Sequence, residues 1–129
     1  MSLAIACLIV LLTFSPTADR YRGTATFYCS DGRDGSPSSS CTAGYGPSDL
    51  VAAIDRKDTE FRKGDRVTVT YRGKSVTVTI VDTCRCVDAR VIDLTIGAFQ
   101  QLAPWGAGVL SVTLEQAGAS PTLPATDLP

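Results

Sequence analysis

The sequence predicts a small all-β domain, a barrel or a sandwich, with one brief helix. Three observations carry that expectation. Five or six short segments alternate apolar and polar residues at period two, each bounded by residues that favour turns. Only one stretch has helical spacing. Four cysteines outside the N-terminal apolar run offer the cross-links that help so small a core.

Taken in order, Tyr21 to Cys29 alternates Thr24, Thr26 and Tyr28 against Ala25 and Phe27 and reads as the first strand. Ser30 to Ser40 is rich in Gly, Ser and Asp, so it reads as a loop. The irregular stretch continues through Cys41 and Thr42-Ala43-Gly44-Tyr45-Gly46-Pro47 as far as Leu50. Leu50 to Ile54 reads as a short buried strand, and Asp55 to Gly64 as a charged, turn-like segment anchored by Phe61. Arg66 to Tyr71 and Ser75 to Val81 alternate on either side of Arg72-Gly73-Lys74 and predict a hairpin. Asp82 falls where the second strand of that hairpin is expected to stop. After the loop Thr83 to Arg90, Val91-Ile92-Asp93-Leu94 holds a lone carboxylate between branched apolar residues. Ile96, Phe99 and Leu102 have helical spacing behind Thr95 as N-cap, and Pro104 and Gly106 close that helix. Val109 to Glu115 predicts a final strand. Gln116 to Pro129, with three prolines and no apolar periodicity, predicts a disordered tail.

Leu3 to Phe14 is a continuous apolar run followed by Ser15-Pro16-Thr17-Ala18. It is too short for a spanning helix of ~20 residues and predicts a secretory signal peptide over 1–18, which would remove Cys7. Export to an oxidising compartment favours two disulfides among Cys29, Cys41, Cys84 and Cys86. With only Arg85 between them, Cys84 and Cys86 are expected to avoid each other, each reaching back to the Cys29–Cys41 region. A Cys-x-Cys in a chain without histidine is a poor zinc site, so no metal is expected. The formal net charge of −1 argues against a nucleic-acid ligand. Arg56, Lys57, Arg62, Lys63, Arg66, Arg72 and Lys74 interleave with Asp55, Asp58, Glu60 and Asp65, which reads as a solvated mixed-charge surface.

Asp is costly to bury unpaired and suits strand interiors poorly. Asp82 and Asp93, at neighbouring strand ends, are therefore the leading site candidates. The alternative is structural, with the two capping loop amides or pairing with Arg85 or Arg90. Tyr28, Tyr45 and Trp105 could stack on a sugar, and Tyr45, in a glycine-bounded loop, is the best placed to do so.

The ordered set GTATFY, CTAGYG, LVAAI, KGDRVTVTY, GKSVTVTIVDTC, IDLT-IGAF and GVLSVTLE resembles the double-psi β-barrel family. That family includes rare lipoprotein A (RlpA) domains, expansin amino-terminal domains, barwin-like and kiwellin-like proteins and family-45 glycosidases. The resemblance covers Tyr21 to Glu115 and implies a six-stranded double-psi β-barrel over residues 19–115. It also implies a cell-wall polysaccharide, peptidoglycan or a cellulose-like glycan, as ligand. Carried over by motif, Asp93 of IDLT matches the catalytic acid of the glycosidases, Asp82 of VDTC the accompanying aspartate, and Thr26 of GTATFY the hydroxyl beside them.

The departures are as informative. Peptidoglycan-cleaving RlpA enzymes carry a histidine after the paired alanines, where this chain has Ile54 and then Asp55, and no histidine occurs anywhere. Hydrolysis would need a second carboxylate, for which Asp55, Asp31 and Asp34 are candidates. The expectation is a secreted or wall-associated single-domain monomer, without cofactor or stable membrane insertion, that binds and loosens wall polysaccharide without hydrolysis. A lytic transglycosylase, needing one Asp acid/base, and a barwin- or kiwellin-like protein-interaction module are the alternatives.

Overall fold

Alternation in the central hairpin sets the inner face of the barrel. Val67, Val69, Val76, Val78 and Ile80 are all buried, while Thr68 and Thr77 pair on the outside with their hydroxyl oxygens 3.2 Å apart. Each buried branched side chain contributes about 1.5–3 kcal/mol relative to exposure. The turn itself is two residues, Arg72 and Gly73, both at positive φ, as the twist of a tight hairpin requires.

The computed structural model describes residues 20–36 and 41–118. The strands are β1 (Arg20–Tyr28), β2 (Val51–Asp55), β3 (Arg66–Tyr71), β4 (Lys74–Cys84), β5 (Arg90–Thr95) and β6 (Leu110–Gln116). They close in the order β1-β5-β2-β4-β3-β6, with β1–β5 and β2–β4 parallel and the other four pairings antiparallel. This closed six-stranded barrel is a double-psi β-barrel. The single α-helix among the described residues, α1 (Ile96–Gln100), follows β5 directly, and a 3-10 turn at Trp105–Ala107 leads towards β6. Thr95 caps α1, its Oγ1 accepting from the Ala98 N–H at 3.4 Å. Phe99 seats α1 on the barrel, edge-to-face with Phe27 at 5.0 Å between centroids. Phe61 anchors the charged segment 55–64 as expected, buried against the Tyr21 ring at 5.2 Å.

Strands β1, β2 and β5 and the start of β4 lie within a residue of expectation, and three further boundaries differ for visible reasons. Helix α1 ends at Gln100, because Gln101 and Leu102 close it with tighter bonds to Ala98 and Phe99. Strand β6 runs one residue later than predicted, and Ala117 N–H then donates to Arg66 O at 2.8 Å. Most consequentially, β4 does not stop before Asp82 but continues to Cys84. It is held there by parallel pairing with β2, which single-strand alternation cannot reveal. The expected signal peptide (1–18) and the tail from residue 119 onward lie outside the described residues.

The disulfide expectation is overturned. Cys29 pairs with Cys41 and Cys84 with Cys86. The expectation held that so close a pair would strain if bonded. Cys84 is the last residue of β4 and the irregular chain after it places the two Cα atoms 5.1 Å apart, an ordinary disulfide separation. Cys29, with φ 55°, turns the chain off β1, and the loop returns Cys41 to a Cα separation of 4.4 Å.

Candidate functional site

Thr26, Asp93, Ala53 and Asp82 form one row across four adjacent strands. Thr26 of β1 is the register partner of Asp93 of β5, Asp93 of Ala53 of β2, and Ala53 of Asp82 of β4. The sequence neighbours Ala25, Ile92, Leu94, Ala52 and Ile54 of Thr26, Asp93 and Ala53 belong to the core, so the row lies on the outer face of the barrel.

A register shift makes this possible. Ala52 pairs with Ile80 but Ala53 pairs with Asp82, so Val81 is an extra residue. Strict alternation through Val76, Val78 and Ile80 would point Asp82 into the core. The shift turns it outward, into line with Asp93. A similar shift at Val91, between the Thr24–Arg90 and Ala25–Ile92 pairs, precedes Asp93. Asp82 and Asp93 therefore flank a strand whose small Ala53 leaves a shallow floor. Their backbones are two strand spacings apart, about 9–10 Å.

The two carboxylates have different surroundings. Thr26 Oγ1 donates to Asp93 Oδ1 at 2.8 Å. Burial raises the Asp93 pKa above the ordinary carboxylate value, and the Thr26 bond and the Arg90 charge offset this only in part. Asp82 is held at both oxygens, Oδ1 accepting from the Thr83 N–H at 2.8 Å and Oδ2 from Thr42 Oγ1 at 3.2 Å. Asp93 is thus the carboxyl better suited to hold and deliver a proton, and Asp82 is a fixed acceptor.

Tyr28 lies on the same face as Thr26, two residues further along β1 and in register with Thr95. Burial raises its phenol pKa, and the charges of Asp82 and Asp93 add to that, while the nearby Thr42 hydroxyl pulls the other way. Thr42 falls short of hydrogen-bond geometry to Tyr28 Oη, which has no partner among the described residues. Tyr45 is exposed in the loop between Cys41 and Leu50. That loop is fixed by Gly97 N–H to Pro47 O at 2.9 Å and by Thr95 Oγ1 to Asp49 O. Trp105 stands in the 3-10 turn, away from the four strands of the row.

Of the candidate second carboxylates, Asp31 pairs with Arg33 at 3.3 Å and Asp34 accepts from Ser30 and Ser36, which lowers its pKa. Both are committed to their loop. Asp55 is different, standing two residues beyond Ala53 on the same strand face and only 4% exposed. Its Oδ1 accepts from the Lys57 N–H at 3.1 Å, and its Oδ2 is buried without a partner among the described residues. Thr26, Asp93 and Asp82 are half-buried and Ala53 is buried. A cleft of about 800 Å3 lies beyond the row at the ends of β2 and β4, lined by Asp55, Arg56, Thr83 and Arg85 among others. Thr42 is the site residue that sequence reasoning passed over; its place directly after Cys41, in the loop tied to the end of β1, was the available signal.

A closed six-stranded barrel carrying an outward Asp–Thr pair and a second aspartate in register is a double-psi β-barrel protein. The chain belongs to the lytic transglycolase family, whose model matches residues 20–114. Among solved structures it is similar to the Streptomyces papain inhibitor, at 27% identity over 78% of this chain and 96% of that one, with TM-score 0.54. It is also similar to the Clavibacter michiganensis expansin. A mutant of that protein in complex with cellohexaose aligns at 18% identity over 77% of this chain, and the apo form at 21% over 77%, each with TM-score 0.55. This chain spans half of the expansin chains. Comparison with curated proteins finds no match.

Proposed function

We propose that this is an exported protein that binds cell-wall polysaccharide across the Thr26–Asp93–Ala53–Asp82 row and loosens it without hydrolysis. The observation that carries the reading is the row itself: a carboxyl whose pKa burial raises and a second held at both oxygens flank a floor kept low by alanine. A sugar lying there can give hydrogen bonds to Asp93 and Asp82, with Tyr45 at the margin as a stacking face. Both oxygens of Asp82 are already engaged by Thr83 and Thr42, which favours a binding role for it over that of the base or nucleophile hydrolysis requires. Family membership keeps one catalytic alternative, in which Asp93 protonates the glycosidic oxygen and the sugar's own hydroxyl attacks, releasing an anhydro-sugar.

The test is retention on insoluble peptidoglycan, cellulose and chitin, wild type against Asp93→Asn, with analysis of soluble products. Retention without products, weakened at least about tenfold in the variant, is expected. Anhydro-sugars that disappear in the variant would establish the transglycosylase instead.

A second reading rests on the papain inhibitor, whose chain this one matches over almost its whole length. In that reading the exposed loops contact a cysteine protease and the aspartate row is idle. Inhibition of papain that survives Asp93→Asn, with no retention on any polymer, would select it.

A further inference from the structure

The acids of the charged segment 55–66 divide in two: Asp58 and Glu60 are exposed, while Asp55 Oδ1 accepts from the Lys57 N–H at 3.1 Å and Asp65 Oδ2 from the Arg62 N–H at 2.9 Å. The buried Thr59 ties the same turn by donating to Asp55 O at 2.7 Å. The cations are left facing out. Among the described residues the ion pairs are Arg20–Glu115 and Arg33–Asp31, and neither involves this segment.

Three of those cations converge. Arg56, Arg62 and Lys63, with Thr83, line a cleft of about 310 Å3 at the end of the barrel. No acid lines it. Arg62 is pre-set, because its Nη1 donates to Glu60 O at 2.9 Å and Phe61 O at 3.2 Å. That leaves Nε and Nη2 to present an edge-on fork, the geometry that suits a carboxylate or phosphate. Gathering three like charges around one hollow costs energy that an anion would offset. The position also matters. Thr83 is the residue after Asp82 and donates its N–H to that carboxylate, and Arg56 and Thr83 also line the larger cleft that continues from the row.

We propose that the Arg56–Arg62–Lys63–Thr83 cleft is an anion subsite, through which the protein selects glycans bearing carboxylate or phosphate groups over neutral ones. This rests on the polysaccharide reading above and specifies its ligand class. A chain crossing the row at Asp82 would bring a charged substituent to the cleft within one residue of the wall that both sites share.

The experiment uses affinity electrophoresis of the full chain through soluble carboxymethyl-, phospho- and hydroxyethyl-cellulose at low and high salt, beside Arg56→Gln/Lys63→Gln. Both substituted residues are exposed, so the fold is expected to persist. Retardation should be about tenfold stronger in the anionic polymers at low salt and should fall towards the neutral value at 0.5 M salt, where the screening length is only about 4 Å. The double variant should lose the anionic preference and keep neutral binding. The order of the carboxylated and phosphorylated polymers identifies the group preferred. Equal binding to all three, or an anionic preference that survives in the double variant, overturns the proposal. If no polymer binds, the polysaccharide reading fails, and titration with inorganic phosphate then decides for the cleft. NMR shifts at Arg62 and Lys63 that the double variant abolishes would retain it as an anion site, and their absence would remove it.

Discussion

Gly97 is where the loop bearing Thr42 and Tyr45 is clamped to the barrel, and a single methyl group there tests the clamp. The Gly97 N–H donates to Pro47 O at 2.9 Å. A Cβ on Gly97 would stand 2.8 Å from that same oxygen, 3.0 Å from Ser48 Cα and 3.1 Å from Ser48 O, all of them backbone atoms. Ordinary contact begins near 3.4 Å, so the loop must retreat by about 0.6 Å or give up the bond. Overpacking of this kind costs about 1–3 kcal/mol. The helix gains up to about 1 kcal/mol when alanine replaces glycine, which offsets part of it. A net loss of about 1–2 kcal/mol should lower Tm by about 5–15 °C in a domain of this size. Thermal unfolding followed by circular dichroism reads this directly, with Gly106→Ala as control, since a Cβ there meets nothing within 4 Å. The loop also delivers Thr42 to Asp82, so retention on polysaccharide should weaken in Gly97→Ala even well below its Tm. A Gly97→Ala protein as stable as wild type or the control would refute the clamp.

Further expectations concern the row and the cross-links. Because burial raises the folded-state pKa of Asp93, its favourable contribution is complete below the ordinary value of 3.8 and is lost as pH rises through the raised value. Asp93→Asn stays neutral and still accepts from Thr26, so in urea titrations it should be more stable than wild type at pH 7, with the gap closing in acid; a gap that widens in acid contradicts the assignment. Thr26→Val removes the donor that holds the Asp93 pKa down, so the Asp93 carboxyl resonance should titrate at higher pH, and an unmoved titration would count against the 2.8 Å bond. Tyr28→Phe deletes a buried hydroxyl with no partner among the described residues and should leave stability unchanged or raise it by up to about 1 kcal/mol; a clear loss would reveal a partner. Removing Cys29–Cys41, with twelve residues of separation, should cost about 3 kcal/mol, and removing Cys84–Cys86 distinctly less, because closing so short a loop restrains the unfolded chain less. The reverse order in urea midpoints would be inconsistent with that account.

The hairpin, the helix start at Thr95 and the carboxylates of the site were legible because each depends on local pattern. Val67, Val69, Val76, Val78 and Ile80 announce a buried face by alternation alone, and Asp93 stands out among Val91, Ile92 and Leu94. The direction in which Asp82 points was not legible. It depends on one extra residue, Val81, opposite β2, and a parallel pairing between segments some thirty residues apart leaves no local trace. The same limit explains the disulfides: whether Cys84 reaches Cys86 is decided by where β4 ends and the irregular chain begins, which the parallel pairing with β2 sets. The mixed-charge surface expected around 55–66 holds for the exposed Asp58, Glu60 and the cations, and fails at Asp55, which is 4% exposed with one oxygen accepting from the Lys57 amide.

The row at the centre of the site draws its side chains from β1, β2, β4 and β5, and the bond at its core joins residues 67 apart in the chain. No fragment shorter than most of the barrel contains it. Parallel pairings of this range close late and slowly in folding, because the entropy of the long loops must be overcome before their contacts form. Ligand binding is therefore tied to the last, cooperative step of folding. A saturating ligand should raise the stability of the whole barrel by RT ln(1 + [L]/Kd) and not that of one segment. A partly opened chain should bind nothing at all, so retention on a polymer column doubles as a measure of the fully folded fraction.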